Sequence, residues 1–139
     1  MFLVRTIYVS EIVNGFDADE VEKILIASRK NNKKVHVTGL LVFSNNYFIQ
    51  CLEGSRTAVN SIYHTIMKDP RHENVIMLDY SEIITREFGS WSMGYIPTSS
   101  VTSELNMRYS GNPDFNPYEM KGESVHKLLI DLSNTLPTI

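Results

Sequence analysis

Two short runs rich in β-branched and aromatic residues, VTGLLVFS at 37–44 and YFIQCLE at 47–53, are separated only by Asn45 and Asn46. Both runs suit pleated strands, and asparagine accepts the backbone of a tight two-residue turn better than most residues. The spacing predicts a β-hairpin, which constrains the segments on either side. Upstream, FLVRTIYVS at 2–10 predicts a first strand ending near Asn14-Gly15. Asp17 with Glu20 three positions later has the form of a capping box. Val21, Ile24, Leu25 and Ser28 then fall at helical spacing, so a helix is expected to run to about Asn32. Downstream, Val59, Ile62, Tyr63, Ile66 and Met67 predict a second amphipathic helix, closed at Asp69-Pro70 because proline cannot continue it. Two further strands are expected near 75–84 and 88–96.

The order is βαββαββ, an α+β arrangement in which the split βαβ pattern places both helices on one face of a mostly antiparallel sheet. A slot between the helices follows from that layout. After Pro97 the chain is polar and turn-rich to Pro117, and Val125, Leu128, Leu129 and Leu132 then predict a final amphipathic helix. The expected organisation is one domain over 1–97 and a C-terminal helical extension over 98–139. A chain of 139 residues with 42% hydrophobic content can bury one sizeable core and is too short for two independent ones.

A formal charge of −3 supplies no general attraction to nucleic acid or to an anionic membrane surface, and neither partner is expected. Cys51 is the single cysteine, which excludes an internal disulfide and a CxxC site. The N-terminus lacks the features of a signal peptide and no run approaches membrane-spanning length, so a soluble, cytoplasmic protein is expected. His36, His64, His72 and His126 show no metal-ligand spacing, and no glycine-rich nucleotide loop is present.

Among residues able to carry chemistry, Gln50 is the most unusual. It lies on a strand whose alternation sets Phe48, Gln50 and Leu52 on one apolar face. An interior amide must find partners, and its two ends differ in donor and acceptor character, so it can bridge two neighbours or exchange between them. A simply satisfied buried amide is the other account of it. Tyr8 on the first strand is either a core aromatic or, beside a redox-active ring, a source of an electron and a proton. Asn31 and Asn32 can terminate a helix, or read the alternating carbonyl and N–H edge of a flavin. Ile24 and Ile66 would then wall the ring above and below. Arg29, Lys30, Lys33 and Lys34 either complement the helix dipole or receive a diphosphate. Arg71-His72 reads as loop solubility or as a hydrogen bond from Arg71 to a flavin carbonyl. Trp91 and Met93, two apart on the expected last strand, should point to the same face, as core or as a packed toggle.

Together these residues form an ordered set: Tyr8-x-Ser10, SRKNN at 28–32, TGLL at 38–41, FIQCLEG at 48–54, DPRH at 69–72 and WSM at 91–93. The set closely resembles the BLUF domain family over roughly residues 2 to 97. The resemblance implies a ferredoxin-like fold holding FAD non-covalently between the two helices. It implies that Tyr8 is the light-driven electron and proton donor and that Gln50 connects it to the flavin and rearranges on illumination. Asn32 would bind the flavin edge, supported by Asn31 and Arg71, within a site that also draws on Ser28, Arg29, Lys30, Phe48 and His72. Trp91 and Met93 would carry the change outward. Two residues depart from the family pattern: His36 and Asn46 stand where glycine is common. The tail, with Tyr109-Ser110-Gly111, Phe115, Pro117, Met120 and LLIDLS at 128–133, resembles short stand-alone members that form dimers or rings.

The function expected is therefore reversible blue-light sensing that alters binding to a downstream protein, without catalysis. A flavin-dependent redox enzyme and a cofactor-free interaction module of the same fold are the alternatives. Dark reduction by NADPH would mark the first, and a colourless protein the second.

Overall fold

The computed structural model describes residues 2–13, 17–44, 46–97 and 101–135. Strand β1 is Leu3–Ile12, helix α1 is Ala18–Lys34, and the hairpin strands are β2 (Thr38–Ser44) and β3 (Tyr47–Ser55). Helix α2 (Arg56–Met67) and strands β4 (His72–Ile83) and β5 (Gly94–Ile96) follow. Beyond them lie α3 (Ser103–Tyr109), a 3-10 turn at Pro117–Glu119 and α4 (Gly122–Ser133). The turns expected at Asn14-Gly15 and at Asn45 fall outside the described residues.

The sheet order is β4-β1-β3-β2-β5. Its neighbours are antiparallel except for β5, which runs parallel to β2. Alternation along the strands divides the interior in two. Val4, Leu41, Phe48 and Leu52 pack with Val21 and Leu25 of α1 and Val59 of α2. On the opposite face Ile7, Val9, Leu40, Val42, Ile49 and Cys51 pack with Val125, Leu128, Leu129 and Leu132 of α4. The C-terminal extension thus supplies the second apolar layer that a sheet with two buried faces needs. The first residue of α4, Gly122, sits so close to β4 that a Cβ there would lie 2.3 Å from the Leu78 carbonyl oxygen. Gly39 is under a similar constraint, since its Cβ would lie 1.9 Å from the Cys51 carbonyl oxygen.

Helix α1 begins as the capping pattern predicts, with the Asp17 side chain accepting from the Glu20 N–H at 3.0 Å. It runs past Asn32 to Lys34 and ends in a reciprocal pair of bonds, Val37 N–H to Asn32 carbonyl (2.9 Å) and His36 N–H to Lys33 carbonyl (3.4 Å). This is a Schellman closure, which demands a left-handed residue at the position after the cap. His36 occupies it with φ 57. Its departure from glycine is therefore a local strain. His36→Gly is expected to stabilise the fold by roughly 0.5–1 kcal/mol, read as a higher denaturation midpoint with unchanged slope.

Two expectations fail. The strand anticipated over 88–96 is only Gly94–Ile96, because the Glu53 carboxylate takes the N–H groups of Glu87 (3.2 Å) and Phe88 (2.7 Å) that a strand would have offered to a ladder. Without strand alternation, Trp91 and Met93 do not share a face. Trp91 packs in the α4-side core and Met93 in the core beneath α1 and α2. Helix α3 also arises where only turns were expected, capped by Thr102, whose side chain accepts from the Leu105 N–H at 3.2 Å.

Candidate functional site

The slot between α1 and α2 is a cavity of about 310 Å³ above the helix-covered face of the sheet. Tyr8 comes from β1, Leu41 from β2, and Phe48 and Gln50 from β3. Ile24, Ala27, Ser28, Asn31 and Asn32 line it from α1, and Ser61, Ile62, Thr65 and Ile66 from α2. Asp69, Arg71 and His72 close it at the junction of α2 and β4.

Tyr8 and Gln50 are directly opposite in the β1–β3 register. The Tyr8 hydroxyl donates to Gln50 Oε1. The other end of the same amide, Nε2, donates to Met93 Sδ at 3.5 Å. Gln50 is thus a buried bridge between a good partner and a soft, weak one. Burial raises the Tyr8 pKa well above that of an ordinary phenol, and the nearby Tyr63 and Asp69 add to the shift. The proton accordingly stays on the phenol at physiological pH. The Tyr63 ring lies 5.6 Å from that of Tyr8 and tilted by 54°, which fixes the phenol's orientation.

His72 also has a determined role. Its Nε2 is 2.7 Å from the Ile66 carbonyl, which can only accept, so this nitrogen carries a proton. Its Nδ1 lies 2.8 Å from the Ser10 hydroxyl oxygen. The imidazole thereby ties β1 to the end of α2. Arg71 is gripped by Asp69, with Nε–oxygen distances of 2.9 and 3.0 Å and an Nη2 contact of 2.5 Å. A weaker 3.8 Å contact reaches Glu20 at the start of α1. Those hydrogen bonds from Arg71 are the main reason the Asp69 carboxyl is held below its ordinary pKa.

Of the residues expected at the site, Tyr8, Ile24, Ser28, Asn31, Asn32, Phe48, Gln50, Ile66, Arg71 and His72 meet at the cavity. Arg29 and Lys30 do not reach its walls. Arg29 Nε donates instead to the Met93 carbonyl at 3.0 Å, and Lys30 is exposed. Asn32 is buried and its Nδ2 donates to the Ser92 carbonyl at 2.8 Å, whereas Asn31 is exposed at the rim. Sequence reasoning missed Ala27, Leu41, Ser61, Ile62, Thr65 and Asp69 as wall residues. Helical spacing from Ile24 reaches Ala27, that from Ile66 reaches Ile62, that from Ile62 reaches Thr65, and that from Thr65 reaches back to Ser61. Leu41 is the β2 partner of Gln50.

The donor set suits a flavin: aliphatic walls on both helices, amides at one edge, and a phenol–amide pair at the inner end. Residues 3–94 match the family model for BLUF, sensors of blue-light using FAD. This chain belongs to the BLUF family. The blue light- and temperature-regulated antirepressor BluF of Escherichia coli (strain K12) is 34% identical over 91 residues, covering 66% of this chain and 23% of that protein. The chain therefore spans about a quarter of that relative. Among solved structures, the photo-activated state of BlsA aligns with a TM-score of 0.85 at 30% identity, covering 99% of this chain and 98% of BlsA. The dark state of the BLUF protein BlrB aligns with a TM-score of 0.76 at 25% identity, covering 94% and 96% of the two chains. Both alignments run over nearly the whole of each solved chain. A bound flavin and blue-light sensing are thus this BLUF protein's family properties. Among the described residues no group of three or more metal-ligating side chains occurs, and no helix is long and apolar enough to cross a membrane.

Proposed function

We propose that this BLUF protein holds FAD in the α1–α2 slot and reports blue light by reorienting the Gln50 amide, which changes affinity for a downstream protein. The observation that carries the reading is the buried chain Tyr8 hydroxyl, Gln50 amide, Met93 sulfur beside the cavity between α1 and α2. A bound flavin supplies the absorption of blue light and an excited state able to accept an electron. Tyr8 would be the residue that supplies that electron, with its hydroxyl proton passed to Gln50 Oε1, and both would return to the phenol as the excited state decays. Gln50 has two chemically different ends in two different environments, so return of the proton leaves it free to settle in either orientation. Asn32, Asn31 and Arg71 would hold the polar edge of the ring, with Ile24 and Ile66 against its faces. Ser28, Phe48 and His72 complete the walls.

Residues 1–97 are read as the sensor and 98–139 as the extension that passes the signal on. That division is supported by the burial of α4 against the sheet face opposite the slot. The partner is a protein, as the name of the antirepressor relative suggests for that protein. Assembly into a dimer or ring is read from the tail pattern and from Ile76, Met77 and Tyr80, apolar and exposed on edge strand β4. A cytoplasmic setting agrees with the single buried free thiol of Cys51.

The test is an absorption spectrum of the purified protein before and after blue light, followed through dark recovery, with chromatographic identification of the released flavin. The expected result is a flavin spectrum that shifts slightly to the red and returns without bleaching, and FAD as the released species. Bleaching to a reduced flavin, or a colourless protein that stays so when soaked with FAD, would end this reading.

A further inference from the structure

Residues 86–93 pass from the α4 side of the sheet to the flavin-slot side, held mainly by side-chain bonds and by a single main-chain bond to β2. On the α4 side the fully buried Glu53 carboxylate receives Arg5 Nε at 3.1 Å, the Glu87 N–H at 3.2 Å and the Phe88 N–H at 2.7 Å. The Arg86 guanidinium adds bonds to the carbonyls of Glu53 (2.8 Å) and His36 (2.6 Å) and to Thr38 Oγ1 (2.8 Å). Midway, the Trp91 carbonyl accepts from the Gly39 N–H at 3.0 Å. On the slot side, Asn32 Nδ2 holds the Ser92 carbonyl at 2.8 Å and Arg29 Nε holds the Met93 carbonyl at 3.0 Å. Three successive carbonyls are thus taken by three different donors, and the segment ends with Met93 Sδ under Gln50 Nε2.

The geometry points to Glu53 and Arg29 as positioning residues for the light switch: one anchor on each face of the sheet makes residues 86–93 a taut strap that sets where the Met93 sulfur meets Gln50. The inference rests on the reading of Tyr8 and Gln50 as that switch. Glu53 lies on the same strand as Gln50, but three residues along strand alternation it faces the opposite side, and it takes no part in lining the slot. Its effect on Gln50 has to travel through the strap. Sulfur is a weak acceptor that can serve only the NH₂ end of the amide, so a small displacement alters how strongly it holds the orientation that brings Nε2 to it. The relative stability of the two amide orientations, and with it the rate of return in the dark, then depends on anchors remote from the flavin.

Glu53→Gln keeps the side chain's shape and one acceptor oxygen but turns an NH₂ group toward a donor it must now repel. Arg29→Ala releases the Met93 carbonyl, and Arg29→Lys keeps a single cationic donor there. The experiment follows dark recovery per bound flavin after a blue pulse, together with the infrared difference band of the Gln50 amide. Thermal melting of each variant separates loss of fold from altered switching. The expected result is a recovery rate changed by roughly three- to tenfold in Glu53→Gln and Arg29→Ala. The Gln50 band should be displaced in both, with Arg29→Lys returning toward the parent rate. Parent kinetics and an unmoved band in a folded Arg29→Ala protein would overturn the strap, and that variant decides the matter alone if Glu53→Gln does not fold. A parent protein with no photocycle would instead sink the underlying reading of Tyr8 and Gln50.

Discussion

Gln50→Leu is expected to retain flavin and lose the reversible light-induced shift entirely, as measured by difference spectroscopy. Leucine keeps most of the volume that packs beside Phe48 and Leu52 but offers neither the acceptor that meets the Tyr8 hydroxyl nor the donor that meets Met93 Sδ. With no amide there is nothing to reorient. Tyr8→Phe should abolish the same shift by the other route, since the ring remains while the hydroxyl proton is gone. The two variants also have a stability signature. Each leaves a buried polar partner unmatched, at a cost of about 1–3 kcal/mol, whereas the double variant removes donor and acceptor together and should recover much of that loss. A normal photocycle in Gln50→Leu would refute the amide switch. A double variant no more stable than the worse single one would show that the Tyr8–Gln50 bond is not what holds this end of the slot together.

Arg5→Ala is expected to be the most destabilising single change outside the slot. The Arg5 side chain is 8% exposed and that of Glu53 fully buried, and the guanidinium also reaches Glu87 at 3.1 Å. Removing one member of a buried ion pair strands the other, at about 3–5 kcal/mol. That is a large part of the roughly 5–15 kcal/mol by which domains of this kind are stable, and the melting temperature should fall by more than 10 °C, by order of magnitude. The discriminating comparison is Arg5→Leu combined with Glu53→Gln, which removes both charges and keeps an amide oxygen for the Phe88 N–H. If the penalty arises from the stranded charge, the double variant should melt well above Arg5→Ala, because no uncompensated charge stays buried. A loss below 1 kcal/mol in Arg5→Ala would mean that the carboxylate's two backbone donors suffice. The result also bears on the strap, since Arg5 and the N–H groups of Glu87 and Phe88 converge on the same carboxylate.

Local pattern was enough to read the order of elements, the helix-facing set of Phe48, Gln50 and Leu52, and the capping of α1 by Asp17. Each of these depends on residues close in the chain, whose spacing translates directly into a face or a cap. The likeness of the motif set to the BLUF family then named Tyr8, Asn32, Gln50 and Arg71 together. Spacing could not report interactions whose partners are far apart in sequence. The strand expected at 88–96 was shortened to Gly94–Ile96, with Glu53, thirty-five positions before Phe88, capturing the N–H at its expected start. Trp91 and Met93 were separated to opposite cores for the same reason, as alternation applies only where a strand exists. Arg29 was drawn from the expected diphosphate position to the Met93 carbonyl, sixty-four residues on. His36 shows the two levels meeting: the sequence alone marked it as an odd residue in a glycine position, and only the folded chain, through its left-handed backbone at the end of α1, decided what that oddity costs. What the sequence by itself determined was therefore the periodic framework and the chemical inventory of the slot. The tertiary structure decided how residues 86–93 cross the sheet and which side chains hold them, because buried donors and acceptors pair by proximity in space and carry no fixed spacing along the chain.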